Sequence, residues 1–189
     1  MTMSDQAPSL AAPLPTPNSR PVNQECHTVS RASDNRVVTR DPHTFESYIA
    51  VSQYFSRGVY VSQSVEFIPC ANSLNHLVQV FGTWTHGDKA PSSISEILSL
   101  PHSFVLNLGE GDAFAKPQVV QHNFDDSFAQ PFLKPAPVEG FRPRLVLLFS
   151  VKSHTTEGGV RDLTDNERKD TLPLVRILAR SRITLSGQA

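Results

Sequence analysis

The chain has 189 residues, of which 39% are hydrophobic and 19% charged, and its 17 Lys and Arg face 18 Asp and Glu for a formal net charge of -1. That length suits one ordinary domain burying about two thirds of its unfolded surface, and the charge argues against a conventional nucleic-acid-binding domain, which is basic because it must neutralise phosphates. No apolar run approaches the roughly 20 residues that span a bilayer, and the first residues have neither the basic region nor the apolar core of a signal peptide. Cytosolic production is therefore expected, with Cys26 and Cys70 as thiols.

Residues 1–22 carry Pro8, Pro13, Pro15, Pro17 and Pro21 among Ala, Ser and Thr. Missing donors and the absence of a hydrophobic period predict a mobile arm. The expected division is an arm over 1–35 and a folded domain over 36–189. From Arg36 onward β-favouring runs alternate with turn residues. Gly58 to Ile68 sets Val59, Val61, Val65 and Phe67 on one side, with Gln63 the exception there, and Tyr60, Ser62, Ser64 and Glu66 on the other. This predicts a half-buried strand. Val78, Val80 and Trp84 share a face across Gly82, with Leu77 and Phe81 opposite.

Ser93 to Leu100 predicts a helix of one or two turns, capped by Ser92 or Ser93, with Glu96 near its positive end and Ile94, Ile97 and Leu98 on one side. Between Lys116 and Arg144 the prolines at 117, 131, 135, 137 and 143 forbid an interior helix and favour an extended crossing with a short strand at Val119 to Phe124. Leu145 to Val151 is apolar on both sides, as a central strand packed between layers is. Thr155 to Asp170 reads as a charged, solvated excursion with a helical turn at Thr164 to Lys169. In the last strand Arg176, Arg180 and Arg182 share one face with Leu174, Leu178 and Thr184, and Val175, Ile177, Ala179, Ile183 and Leu185 share the other. Several short strands, little helix and long loops predict an antiparallel sandwich.

Catalytic signatures are missing: there is no G-x-S-x-G elbow, H-E-x-x-H helix, phosphate-binding glycine loop or dinucleotide fingerprint. His76, His86, His102, His122 and His154 are dispersed without i, i+2 or i, i+4 pairs, and His86 with Asp88 is only a weak metal candidate. Gly109-Glu110-Gly111-Asp112 reads as a tight turn, and Asp125-Asp126 equally as loop carboxylates or as calcium-type interface ligands. No enzymatic activity, cofactor or metal is expected.

The stretch His76 to Leu108 carries the most specific signal. An apolar strand from Val78 to Trp84 is followed by a Pro/Ser break at Ala90 to Ser92 and a helical segment at Ser93 to Leu98. A bend at Pro101 to Ser103 then leads to a second strand at Phe104 to Gly109. This order and spacing resembles one connection in the jelly-roll coat proteins of tymoviruses and related plant viruses. Tyr54 to Val61, Pro143 to Leu148 and Ile177 to Ser186 echo other parts of that pattern, so the resemblance covers about residues 50 to 186. It departs at Pro101-His102, where the family usually has paired glycines, and in the insert Thr155 to Asp170.

The resemblance implies an all-β fold: an eight-stranded antiparallel jelly-roll sandwich with one or two short helices and a disordered N-terminal arm. It implies a structural coat protein that self-assembles as a homo-oligomer into a T=3 icosahedral shell around positive-sense single-stranded RNA. Polyamines would supply much of the packaged charge, consistent with a first 35 residues that hold only Arg20 and Arg31 against Asp5, Glu25 and Asp34. Localisation would be the virion, assembled in the host cytoplasm, with no membrane. Arg31, Arg36 and Arg40 are the expected RNA contacts, and Arg176, Arg180 and Arg182 are expected to face RNA or another subunit. Two other classes stay open: a cytosolic ligand-binding β-sandwich of cupin-like or lectin-like type, and a viral RNA-binding accessory protein.

Overall fold

Two antiparallel sheets stack face to face in the computed structural model, which describes residues 18–41, 46, 49–50, 53–85, 89–109, 116–124 and 144–188. The elements are β1 (Asn18–Val29), β2 (Val37–Arg40), β3 (Phe55–Pro69), β4 (His76–Thr85), α1 (Ile94–Leu98), β5 (Phe104–Leu108), β6 (Gln118–Asn123), β7 (Arg144–His154), β8 (Val160–Asp162) and β9 (Val175–Gln188). The first sheet runs β1-β9-β3-β6 and the second β2-β7-β4-β5, with β8 attached to β7. Every pairing is antiparallel. Because the chain changes sheet at most connections, neighbours in sequence face each other across the core. That crossing pattern is the eight-stranded jelly roll, with β8 as a three-residue addition. No helix among the described residues is long and apolar enough to cross a membrane.

The alternation expected of the strands builds the core. Val65, Phe67, Val175, Ile177, Ala179 and Ile183 project from the first sheet against Val78, Val80, Trp84, Leu145, Leu147, Phe149 and Val151 of the second. The other apolar side of β7 is used as well: Val146 and Leu148 form a smaller cluster with Ile97 of α1 and partly buried Phe81. α1 starts as anticipated, with Ser93 Oγ accepting from the Glu96 backbone N–H at 3.2 Å and the Glu96 carboxylate accepting from the Ser92 N–H at 2.7 Å. Gly82 is required by close approach, since a Cβ built there falls inside the Phe104 ring.

Four expectations are corrected. The sandwich begins before residue 36: β1 pairs with β9 from Asn18 to Val29, and Cys26 and Val29 lie in the core. As an edge strand of its sheet, β1 tolerates Pro21. Val61, expected beside Val65, is 39% exposed because the β3–β9 register slips between Tyr60 and Ser62. Of the three apolar residues of α1 only Ile97 is buried, while Ile94 and Leu98 are exposed on the outer side of this five-residue helix. The 155–170 excursion is docked rather than simply solvated: Ala32 N–H donates to Asp170 O at 3.0 Å, and Arg168 pairs at 3.1 Å with Asp34, whose side chain is 5% exposed. Residues 1–17, His86, Asp88, Glu110 to Asp112, Asp125, Asp126 and the prolines at 131, 135, 137 and 143 lie outside the described residues.

Candidate functional site

The arginines of β9 stand where the period-2 pattern places them. Val175, Ile177, Ala179 and Ile183 turn inward, and Arg176, Arg180 and Arg182 are exposed on the outer face of the first sheet. Neighbouring strands supply two of them with carboxylates. Arg176 grips Glu25 of β1 with Nη2 at 2.7 Å and Nε at 3.3 Å, a bidentate geometry. Thr28 Oγ1 also donates to Glu25 at 3.1 Å, and the two donors, Arg176 foremost, hold that carboxyl below its ordinary value. Arg180 Nη2 reaches Glu66 of β3 at 3.1 Å. Arg182 is exposed and has no ion pair among the described residues.

The second expected set, Arg31, Arg36 and Arg40, sits on the turn after β1 and on β2, away from the β9 row in the chain's architecture. Two of its members are committed within the subunit. Arg31 Nε donates to His76 Nε2 at 2.8 Å, and its Nη1 lies 3.5 Å from Asp170. Arg40 Nε donates to Cys26 O at 2.6 Å, and its Nη2 stands 3.0 Å from His27 Nδ1. The first of these Arg40 contacts has a local cause: the β1–β9 register shifts between Glu25 and His27, and a residue left out of a ladder needs another partner for its carbonyl. Arg36 is exposed and has no ion pair among the described residues.

Sequence reasoning missed the partners. His27 and His76 each face an arginine donor; they come from segments 13 and 45 residues away from it, so no local spacing announces the pairs. It also missed a buried polar contact between the sheets, where Trp84 Nε1–H donates to Gln63 Oε1 at 2.7 Å and Gln63 Nε2–H donates to Ser181 Oγ at 3.1 Å. The one available signal was Gln63 itself, a polar residue on the apolar side of β3. His102 and His122, dispersed in sequence, meet with ring centroids 4.3 Å apart, and His122 stacks on Trp84 at 4.9 Å. No group of three or more His, Cys, Asp or Glu among the described residues is placed to hold a metal ion. Both cysteines are free; burial pushes the Cys26 thiol up to about 12, which keeps it protonated.

No protein-family model matches the sequence, and no curated protein does either. Solved structures do. The chain is similar to that of Desmodium yellow mottle tymovirus at 13% identity, with a TM-score of 0.67, over 100% of this chain and 92% of that one. It is similar at the same identity and TM-score to the empty head of turnip yellow mosaic virus, over 100% of this chain and 90% of that one. The semi-empty virus-like particle of the giant freshwater prawn Macrobrachium rosenbergii nodavirus matches at 13% identity and a TM-score of 0.62, over 100% of this chain and 92% of that one. At such identities the likeness establishes the fold: the jelly-roll sandwich found in icosahedral virus capsid proteins.

Proposed function

We propose that this chain is a structural coat protein whose copies self-assemble into an icosahedral shell enclosing a positive-sense RNA genome. The observation that carries the reading is the strand order β1-β9-β3-β6 against β2-β7-β4-β5, together with a likeness to virus coats that extends over the whole of this chain. Neighbours from plant and crustacean viruses alike support a capsid role. A T=3 lattice, a plant host, packaging with polyamines and assembly in the host cytoplasm are the finer parts of the proposal and rest on the tymovirus-like connection from Val78 to Gly109.

Within that reading the six arginines divide by what they already hold. Arg31, Arg40, Arg176 and Arg180 are tied to partners in the subunit, so they act toward RNA or a neighbouring copy only by sharing or exchanging those partners. Arg36 and Arg182 are exposed without an ion pair among the described residues and are the RNA or intersubunit contacts this reading favours. Negative-stain microscopy of the purified protein tests the whole proposal. Closed shells support it; monomers at all concentrations, or small defined oligomers, point instead to a ligand-binding sandwich or an accessory RNA-binding protein.

A further inference from the structure

The segment from Cys26 to Arg40 leaves the first sheet, turns, and enters the second, and two arginine–histidine pairs tie it: Arg31 in the turn bonds His76 of β4, and Arg40 bonds His27, joining the segment's own two ends. Arginine has only donors, so the geometry fixes the state of both rings. In the turn Arg31 Nε–H occupies His76 Nε2 at 2.8 Å, which must therefore present its lone pair, and His76 Nδ1–H donates to Asn72 O at 3.0 Å. Between the segment's two ends Arg40 Nη2 occupies His27 Nδ1 at 3.0 Å. His27 Nε2 is buried with no hydrogen-bond partner among the described residues, and the ring stacks on Phe149 at 5.4 Å. A proton added to either acceptor nitrogen removes the hydrogen bond and sets an imidazolium against a guanidinium.

We propose that the Arg31–His76 pair, which joins the segment to β4, and the Arg40–His27 pair, which joins its two ends, form an acid-sensitive latch on residues 26–40, closed while both imidazoles are neutral and loosened when they are protonated. The latch belongs to the folded subunit and holds whether or not copies assemble. The surrounding charges agree with it. Around His76, the turn after β1 presents Arg31, backed by Asp170, while β7 presents His154; both Arg31 and His154 disfavour the proton, and Glu167 from the 155–170 segment favours it. Burial, with 4% of the residue exposed, outweighs the Asn72 carbonyl, which favours the proton, and the carboxylate, and lowers the affinity of His76 for a proton. Around His27, burial comes first and Arg40 of β2 second, both lowering it. Phe149 of β7 offers an uncharged ring, and the carboxylate of Glu25 on the same strand is engaged by Arg176.

Each folded-state value thus lies below the ordinary histidine value of about 6.5. The contribution of the neutral pairs is whole above that pH and is lost as pH falls toward the folded values, because both histidines bind protons more readily once the segment is open. Linkage limits the effect to about tenfold per pH unit for each proton taken up.

Hydrogen exchange followed by mass spectrometry on the full chain between pH 7.5 and 5.0, corrected for the intrinsic pH dependence of exchange, tests the latch. Opening of peptides spanning 26–40 is expected to rise at least tenfold relative to peptides from 145–151. The His27→Gln/His76→Gln variant, whose amides can still accept from the arginines but do not titrate, is expected to lose most of that rise. A relative opening that stays within twofold in the unmodified chain overturns the proposal, as does an undiminished rise in the double variant. Should the double variant fail to fold, the unmodified chain and Arg31→Gln decide: removing the cation that faces His76 must shrink the acid response, and an unchanged response overturns the proposal.

Discussion

Gln63 is a polar residue in the middle of an apolar face, 1% exposed, and both ends of its amide are used. A buried donor left without its acceptor costs about 1 to 3 kcal/mol, so Gln63→Leu, which keeps the bulk and strands the Trp84 N–H, is expected to destabilise by that amount in urea titration. Trp84 itself is 4% exposed and packs on Phe104 at 5.4 Å. Trp84→Ala is expected to cost about 3 to 5 kcal/mol, the usual range for removing a buried aromatic. Because it is the only tryptophan, its fluorescence reports on this environment alone. Emission should be blue-shifted and poorly quenched by acrylamide; a red-shifted, freely quenched signal would contradict the placement of β4. These two residues also show what one position can reveal in sequence: Trp84 was readable as core, whereas the partner of Gln63 was not, because Trp84 lies 21 residues away on the opposite sheet.

At the scale of elements, legibility followed whether a strand carries its own pattern. β3, β4, β7 and β9 were readable because alternation, or apolar residues on both sides, is written into each. β1 was not: NSRPVNQECHTV has no hydrophobic period, and its strand conformation comes from pairing with β9 over Asn18 to Val29. The arginine row on β9 was legible by the same period-2 rule, but its carboxylates come from 151 and 114 residues away, from strands whose register no local pattern fixes. The boundary between arm and domain was misplaced for this reason, and the correction has a consequence. Removing residues 1–29 strips the outer pairing partner from β9 and takes Cys26 and Val29 out of the core. The expected loss is several kcal/mol, roughly 10 °C or more in Tm for a domain of this size, measured by circular dichroism on the unassembled subunit. A melting temperature within about 2 °C of the full chain would show that β1 contributes nothing to the fold.

At the scale of the whole molecule, charge decides how such a shell could hold RNA. Each copy carries a formal -1, so adding copies supplies no net cation to offset the phosphates whose neutralisation drives most nucleic-acid binding. On the proposed reading, assembly would rest on contacts between subunits, and RNA would be held by mobile cations together with the few arginines not neutralised at home. Two results are expected from the expressed chain. Shells should form without RNA, as particles with a low 260-to-280 absorbance ratio that survive nuclease; RNA-filled particles alone, collapsing to subunits on nuclease treatment, would show that RNA is the scaffold. Arg36→Gln/Arg182→Gln should leave the subunit's fold unchanged, since neither arginine holds an ion pair among the described residues, and should lower the fraction of particles containing RNA or, where the arginines face another copy, the shell yield. The same exchange at Arg176 and Arg180 removes partners of Glu25 and Glu66 and is expected to affect the subunit as well as its cargo. If the Arg36/Arg182 double variant packages RNA as fully as the unmodified chain, the cargo is held by soluble cations and not by these side chains.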